Sequence, residues 1–149
     1  NLQGDEPLMD PESIKAVIKA GLAAPKSIIN GWAWIESEDE FRSRTIPKVT
    51  IRQDGRMMYM SRSPIPGTKI NSFQFSRKQI CVYSFPREAL AAFAENSRKT
   101  PHEEAEDIEI LRFSEMGWEV QMIELSNKSI AVDTPEDLER VRIMMAKQS

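Results

Sequence analysis

The chain has 149 residues, 40% of them apolar and 29% charged, which suits one domain with a real core. A net charge of −3 and a pI near 5.3 offer no basic field to a nucleic-acid polymer, and no apolar run reaches the length of a membrane span. Cys81 is the only cysteine and His102 the only histidine, which excludes an internal disulfide and most Ser-His-Asp, Cys-His and His-rich zinc schemes and makes a cytoplasmic location the expectation.

In chain order, Asn1 and Leu2 read as the end of a strand begun upstream, so the chain is expected to be the C-terminal part of a longer protein. Gly4 permits a sharp exit, Asp5 and Glu6 follow, and Pro7 ends the ladder. Asp10-Pro11-Glu12 starts a helix whose expected buried face is Ile14, Val17, Ile18 and Leu22. Ile28 to Ile35 is a strand with Trp32 and Trp34 on one side. Ser37 to Glu40 is a capping box for a short helix. Val49 and Ile51, the Asp54-Gly55 turn and Met57 to Met60 predict a β-hairpin. Two prolines stiffen Ser61 to Gly67 into a loop that presents Arg62. Thr68 to Arg77 is polar and is expected to be poorly ordered at its tip.

Gln79 to Phe85 is a strand, with Gln79, Cys81, Tyr83 and Phe85 on one side and Ile80, Val82 and Ser84 on the other. A helix from Pro86 is expected to bury Leu90, Phe93 and Ala94. Thr100-Pro101-His102-Glu103 is a second capping box. It opens a single helix marked by Ile108, Leu111 and Met116 and ended by Gly117. Trp118, Val120 and Met122 predict a strand, and Ser129 to Val132 a shorter one. Asp133 to Asp137 opens the last helix, with Leu138, Val141 and Met145 as its apolar face. The fold class is therefore α/β. Residues 1–47 and 99–149 supply βα units of a parallel or mixed sheet, and residues 48–98 form an antiparallel hairpin-and-helix insert suited to dimerisation.

Ligands bind at the carboxyl ends of strands in open α/β sheets. Two acidic loops, around Asp5 and around Asp133, occupy such positions. Converging there, their carboxylates suit Mg²⁺, which keeps several waters and takes substrate phosphates as further ligands; otherwise they are an acidic turn and a helix cap. Thr134 already serves as that cap. Arg62 is the natural anion anchor, because a guanidinium grips a carboxylate or phosphate with two parallel bonds; a solvated surface arginine is the plainer alternative. Glu106 and Glu109 lie on one helix face with Arg112, a pattern that most often makes a wet, salt-bridged row. Gln79 and Tyr83 point the same way from their strand and can hydrogen-bond a hydroxylated ligand, although Tyr83 also suits a half-buried core position. Cys81 has no basic neighbour and is read as inert.

Gln3-Gly4-Asp5-Glu6-Pro7, Ser61-Arg62-Ser63-Pro64-Ile65-Pro66, Ile108-Glu109-Ile110-Leu111-Arg112 and Val132-Asp133-Thr134-Pro135-Glu136-Asp137 together resemble the CMP-sugar synthetase family. Its 3-deoxy-manno-octulosonate cytidylyltransferases come first and its acylneuraminate cytidylyltransferases next. The resemblance implies a truncated Rossmann-like nucleotidyltransferase sheet that dimerises through the insert, over Lys48 to Phe85. It implies transfer of CMP from CTP to the anomeric hydroxyl of an acidic 3-deoxy-2-ulosonic sugar, with release of pyrophosphate. In that reading Asp5 and Asp133 are catalytic and hold Mg²⁺, while Gln3, Arg62, Gln79, Tyr83, Glu106 and Glu109 face the sugar.

Three departures stand beside the resemblance. Gln79 replaces the histidine, and Ile110 the glutamine, usual in octulosonate enzymes, which leaves sialic-acid-like or phosphonate acceptors open. The family's N-terminal CTP-binding segment is not in this sequence, so the fragment is expected to be inactive alone. A non-catalytic assembly module is the rival class. A phosphatase with an aspartyl nucleophile is disfavoured, because no Asp-x-Asp follows a buried strand.

Overall fold

The computed structural model describes residues 1–4, 6–127, 132 and 134–146. The elements run α1 (Pro11–Ala23), β1 (Ile28–Trp34), α2 (Glu38–Arg42), β2 (Lys48–Ile51), β3 (Met57–Ser61), β4 (Arg77–Ser84), α3 (Arg87–Glu95), α4 (Pro101–Glu106), α5 (Ile110–Glu115), β5 (Val120–Glu124) and α6 (Pro135–Ala146). All five strands join one sheet in the order β3-β2-β4-β1-β5. Only β1 and β5 pair in parallel, so the sheet is mixed, as the alternation of strands and helices requires. The strands of residues 48–98 lie in that same sheet, with β4 directly against β1.

Period-two alternation along β1 feeds two cores. Ile28 and Trp32 join one cluster with Val49, Met60, Leu111, Phe113 and Met122. Ile29 and Ala33 join Val17, Ile80 and Val82 in the other. Asp54 and Gly55 make the hairpin turn, with Gly55 at φ +85°, a conformation that costs glycine little. The tip then reaches β5, at the far end of the sheet order: Met122 N donates to Gly55 O at 2.9 Å, and Arg56 bridges Gln121. A Cβ on Gly55 would sit 2.3 Å from Gln121 Nε2, so that approach also favours glycine.

Helix α1 begins as its sequence dictates. Asp10 accepts from Glu12 N at 3.2 Å and Pro11 takes the first helical position. Its buried face overlaps the expected one at Val17 but not at Ile18 or Leu22. Ser13 and Val17 are buried, and a Cβ on Gly21 would lie 2.3 Å from Ser84 Oγ. The helix therefore packs on β4 by its small residues, which leaves Ile18 and Leu22 56% and 79% exposed.

The sequence from Thr100 to Gly117 is two helices and not one. Thr100 and Glu103 form the capping box, but Asp107 adopts φ +53°, which breaks the helix after Glu106. Glu106 ends α4 while Glu109 precedes α5, so the two share no helix face. Arg112 is no part of a wet row either: it is buried and paired with Glu103.

Smaller differences have similar causes. In α3 it is Ala89 that is buried, Leu90 is 47% exposed, Ala94 is exposed, and Phe93 stacks on Phe113 at 4.7 Å between centroids. In α6 only Val141 is buried, whereas Leu138 and Met145 are exposed. The segment from Thr68 to Arg77, expected to be poorly ordered at its tip, is pinned by Phe73 against Phe41 at 5.1 Å and by Ser76 Oγ donating to Ile65 O at 2.6 Å. The short strand expected over residues 129–132 falls largely outside the described residues.

Candidate functional site

A cleft of about 590 Å³ opens along the edge of β4. Strand β2 pairs with β4 only at Lys78 and Arg77, so three successive inward N–H groups of β4 find other partners. Gln79 N donates to Pro47 O at 3.0 Å and Tyr83 N to Asn1 O at 2.9 Å. Between them Cys81 N donates to Glu6 Oε1 at 2.9 Å. Glu6 is buried; its carboxylate stands where a strand would otherwise supply a carbonyl, which meets the rule that buried amides are paired. Chain segments that cap an edge in place of a strand leave a concavity, and that concavity is the cleft.

Five of the eight expected site residues line it: Gln3, Arg62, Gln79, Tyr83 and Glu109. Behind them, β4 carries a bulge. Asn30 pairs with Tyr83 and Gly31 with Ile80, which leaves Cys81 and Val82 without counterparts on β1. Fully buried Asn30 fills the gap, its Nδ2 donating to Ile80 O at 3.0 Å and to Val82 O at 3.1 Å. Gln79 Nε2 donates to Asn30 Oδ1 at 3.1 Å and to Tyr83 Oη at 3.0 Å. Burial raises the Tyr83 phenol's pKa, and Cys81, Glu109 and Glu6 add to the shift; Tyr83 is a neutral hydroxyl at every physiological pH. Phe85, Phe113 and Phe93 continue the stack behind it.

Arg62 lines the cleft, and in this structure its guanidinium is held by backbone carbonyls. Its guanidinium donates to Glu106 O at 2.7 Å, Asp107 O at 3.0 Å and Arg44 O at 3.1 Å. It ties the break between α4 and α5 to residues 44–45. Glu106 is likewise committed: Oε1 accepts from Ser61 Oγ at 2.6 Å and Oε2 from Arg62 N at 2.8 Å. Burial pushes its carboxyl up, but the hydrogen bonds from Ser61, Arg62 and Tyr59 outweigh this and hold it low. Glu106 does not line the cleft. Glu109 does, it is exposed, and its carboxylate has no hydrogen-bonding partner among the described residues.

Nearby, fully buried Lys48 donates to Ser43 O, Ile46 O and Arg62 O at 2.5, 2.7 and 2.6 Å. Burial, with the charges of Arg62 and Arg44, lowers its pKa to about 8, against the pull of Glu106. Asp5 and Asp133, the expected Mg²⁺ ligands, lie outside the described residues. Among the described residues no group of three or more acidic, histidine or cysteine side chains is arranged to hold a metal. Thr134 caps α6 in a reciprocal pair with Asp137, Thr134 Oγ1 donating at 2.8 Å and Asp137 N returning at 3.2 Å. The cap of α6 therefore needs no other carboxylate.

Sequence reasoning passed over Glu6 and Asn30 as site residues. Asn30 carried a readable signal, since a lone amide between Ile29 and Trp32 in an otherwise apolar strand must find buried partners. Glu6 carried none, because the amide it meets, Cys81 N, lies 75 residues away in sequence.

The cytidylyltransferase family model matches residues 1–130, and the chain belongs to the cytidylyltransferase family. It is 39% identical to the 3-deoxy-manno-octulosonate cytidylyltransferase of Geobacter metallireducens, over 95% of this chain and 60% of that protein. It is 36% identical to the enzyme of the same name from Anaeromyxobacter dehalogenans, over 98% and 60%. Its fold superposes on CMP:2-keto-3-deoxy-manno-octonic acid synthetase complexed with CTP, with a TM-score of 0.90 and 29% identity over 100% of this chain and 61% of that one. The chain thus spans about three fifths of the length of the relatives it matches.

Proposed function

We propose that this chain forms the acceptor-sugar side of an enzyme that transfers CMP from CTP to the anomeric hydroxyl of an acidic 3-deoxy-2-ulosonic sugar, releasing pyrophosphate. The observation that carries this reading is the β4-edge cleft, where Gln3, Gln79 and Glu109 converge beside a polar rim. Glu6 and Asp137 line the same cleft; they lie one and four residues along the chain from Asp5 and Asp133, which supports a shared role for the two aspartates. Together these aspartates would hold Mg²⁺, whose charge neutralises phosphate oxygens. Reactions of this kind depend on in-line positioning and charge neutralisation more than on covalent help from the protein. Gln79 and Glu109 orient hydroxyls, and Arg62 holds the 106–109 turn in place. The same reading has the protein dimerise through residues 48–85, where β3 is the outermost strand and Met58 is 66% exposed.

The test is pyrophosphate release from CTP and 3-deoxy-manno-octulosonate by the intact enzyme with Mg²⁺. Asp5→Asn and Asp133→Asn are each expected to lower kcat by about a thousandfold or more. Unchanged turnover in either variant would remove the metal assignment.

A further inference from the structure

The polarity of the amide at the back of the cleft is fixed by the backbone. Carbonyls cannot donate, so the Asn30 atom that meets both Ile80 O and Val82 O, at 3.0 and 3.1 Å, is its NH₂ group. The other Asn30 atom is therefore the oxygen, and the Gln79 atom 3.1 Å away must be a nitrogen. That nitrogen spends its second proton on Tyr83 Oη at 3.0 Å. Tyr83 Oη accepts that proton, so both donors of the Gln79 amide are spent. What remains is Gln79 Oε1. Gln79 is 9% exposed, it lines the cleft, and its side-chain oxygen has no hydrogen-bonding partner among the described residues.

We propose that Asn30 is a positioning residue that locks Gln79 as an obligate hydrogen-bond acceptor, so that this subsite takes a ligand hydroxyl and rejects a carboxylate or phosphate oxygen. The proposal rests on the acidic-sugar reading above and sharpens it: at this point the cleft reads a hydroxyl, and the sugar's carboxylate binds elsewhere. A buried acceptor facing a donor gains a hydrogen bond. Facing a second acceptor it loses that bond and keeps the desolvation penalty.

The polarity is testable without any ligand. In ¹⁵N NMR of this chain, both Gln79 Nε2 protons are expected to exchange slowly with water. Tyr83→Phe removes one oxygen and should release one of the two to solvent-like exchange while the other stays protected. If both protons are unchanged in Tyr83→Phe, the phenol donates to Gln79 and the assigned polarity is wrong. Asn30→Ala should release the remaining proton; if that variant fails to fold, the Tyr83→Phe result decides alone.

The ligand arm uses 3-deoxy-manno-octulosonate and analogues in which each hydroxyl in turn is replaced by fluorine, which cannot donate. One analogue should bind about tenfold more weakly, the loss of about one hydrogen bond, and Gln79→Leu should abolish that discrimination. Uniform binding across the series overturns the hydroxyl assignment. Protected Gln79 protons with no sugar binding at all would instead sink the acidic-sugar reading and leave the fixed polarity standing.

Discussion

Arg112 and Glu103 meet in a buried bidentate pair, Nε to Oε2 at 2.5 Å and the second fork nitrogen to Oε1 at 2.6 Å, with side chains 8% and 1% exposed. Arg112 also donates to Asn96 O at 2.9 Å and lies 3.9 Å over the Phe93 ring. This one side chain joins α3, α4 and α5, and α4 and α5 flank the Asp107 break that carries Glu109.

Breaking that pair from one side leaves a charge buried without a partner, which typically costs about 3–5 kcal/mol. Arg112→Met is therefore expected to lower unfolding free energy by about that much in urea titrations. The double variant Arg112→Met with Glu103→Leu should regain most of the loss, because replacing both charges removes the uncompensated desolvation. Equal destabilisation in the single and double variants would contradict this account.

A second prediction concerns pH. Burial pushes the Glu115 carboxyl up, but hydrogen bonds with the His102 ring and from the amides of His102 and Glu103 outweigh it and hold it at about 2, against an ordinary value of 4.5. Those amides belong to the first turn of α4, so the carboxylate serves as a cap supplied from α5. As pH falls, the unfolded chain takes up this proton first. The stabilisation is complete above about 4.5 and is lost as pH falls toward 2. Glu115→Gln should flatten that part of the stability–pH curve, as read by thermal melts between pH 5 and 2.5. An unchanged slope would mean that other carboxylates set it.

Much of this architecture was legible in residue types. Asp10-Pro11, Ser37 to Glu40 and Thr100 to Glu103 mark helix starts because capping is a local event, settled within four residues. Asp54-Gly55 marks the hairpin for the same reason. What was not legible depends on partners far along the chain. The period of α1 allowed several buried faces, and the choice fell on the small side only because β4 approaches to contact at Gly21. The three carbonyl acceptors of Arg62 could not be read either, because they lie about 18 or 45 residues away in sequence. Within the cleft, Gln79 and Tyr83 could be paired from alternation alone, but the direction of their hydrogen bond follows from a bulge opposite Asn30 that no local pattern signals.

The close approach at Gly21 gives a third prediction. Alanine in a helix interior is favoured over glycine by about 1 kcal/mol. Here the new Cβ would fall 2.3 Å from Ser84 Oγ and 2.9 Å from Ser84 Cβ, and overpacking of that kind costs about 1–3 kcal/mol. The steric term wins, so Gly21→Ala is expected to destabilise by about 1 kcal/mol in chemical denaturation. A gain in stability would show that α1 can lift off the sheet at no cost.

Arg62 separates two roles that sequence alone leaves joined. If it holds the 106–109 turn through the carbonyls of Arg44, Glu106 and Asp107, Arg62→Lys should cost about 1–3 kcal/mol of stability. An ammonium on a flexible stem cannot span three acceptors that a planar fork reaches together. Because the same turn carries Glu109 into the cleft, on the proposed acidic-sugar reading affinity for 3-deoxy-manno-octulosonate should fall in step with stability. If instead the guanidinium lets go of those carbonyls to grip the sugar's carboxylate, Arg62→Lys should weaken binding while leaving urea unfolding unchanged. Unfolding and sugar titration on the same variant therefore distinguish a strut from an anchor, and the three carbonyl bonds predict the strut.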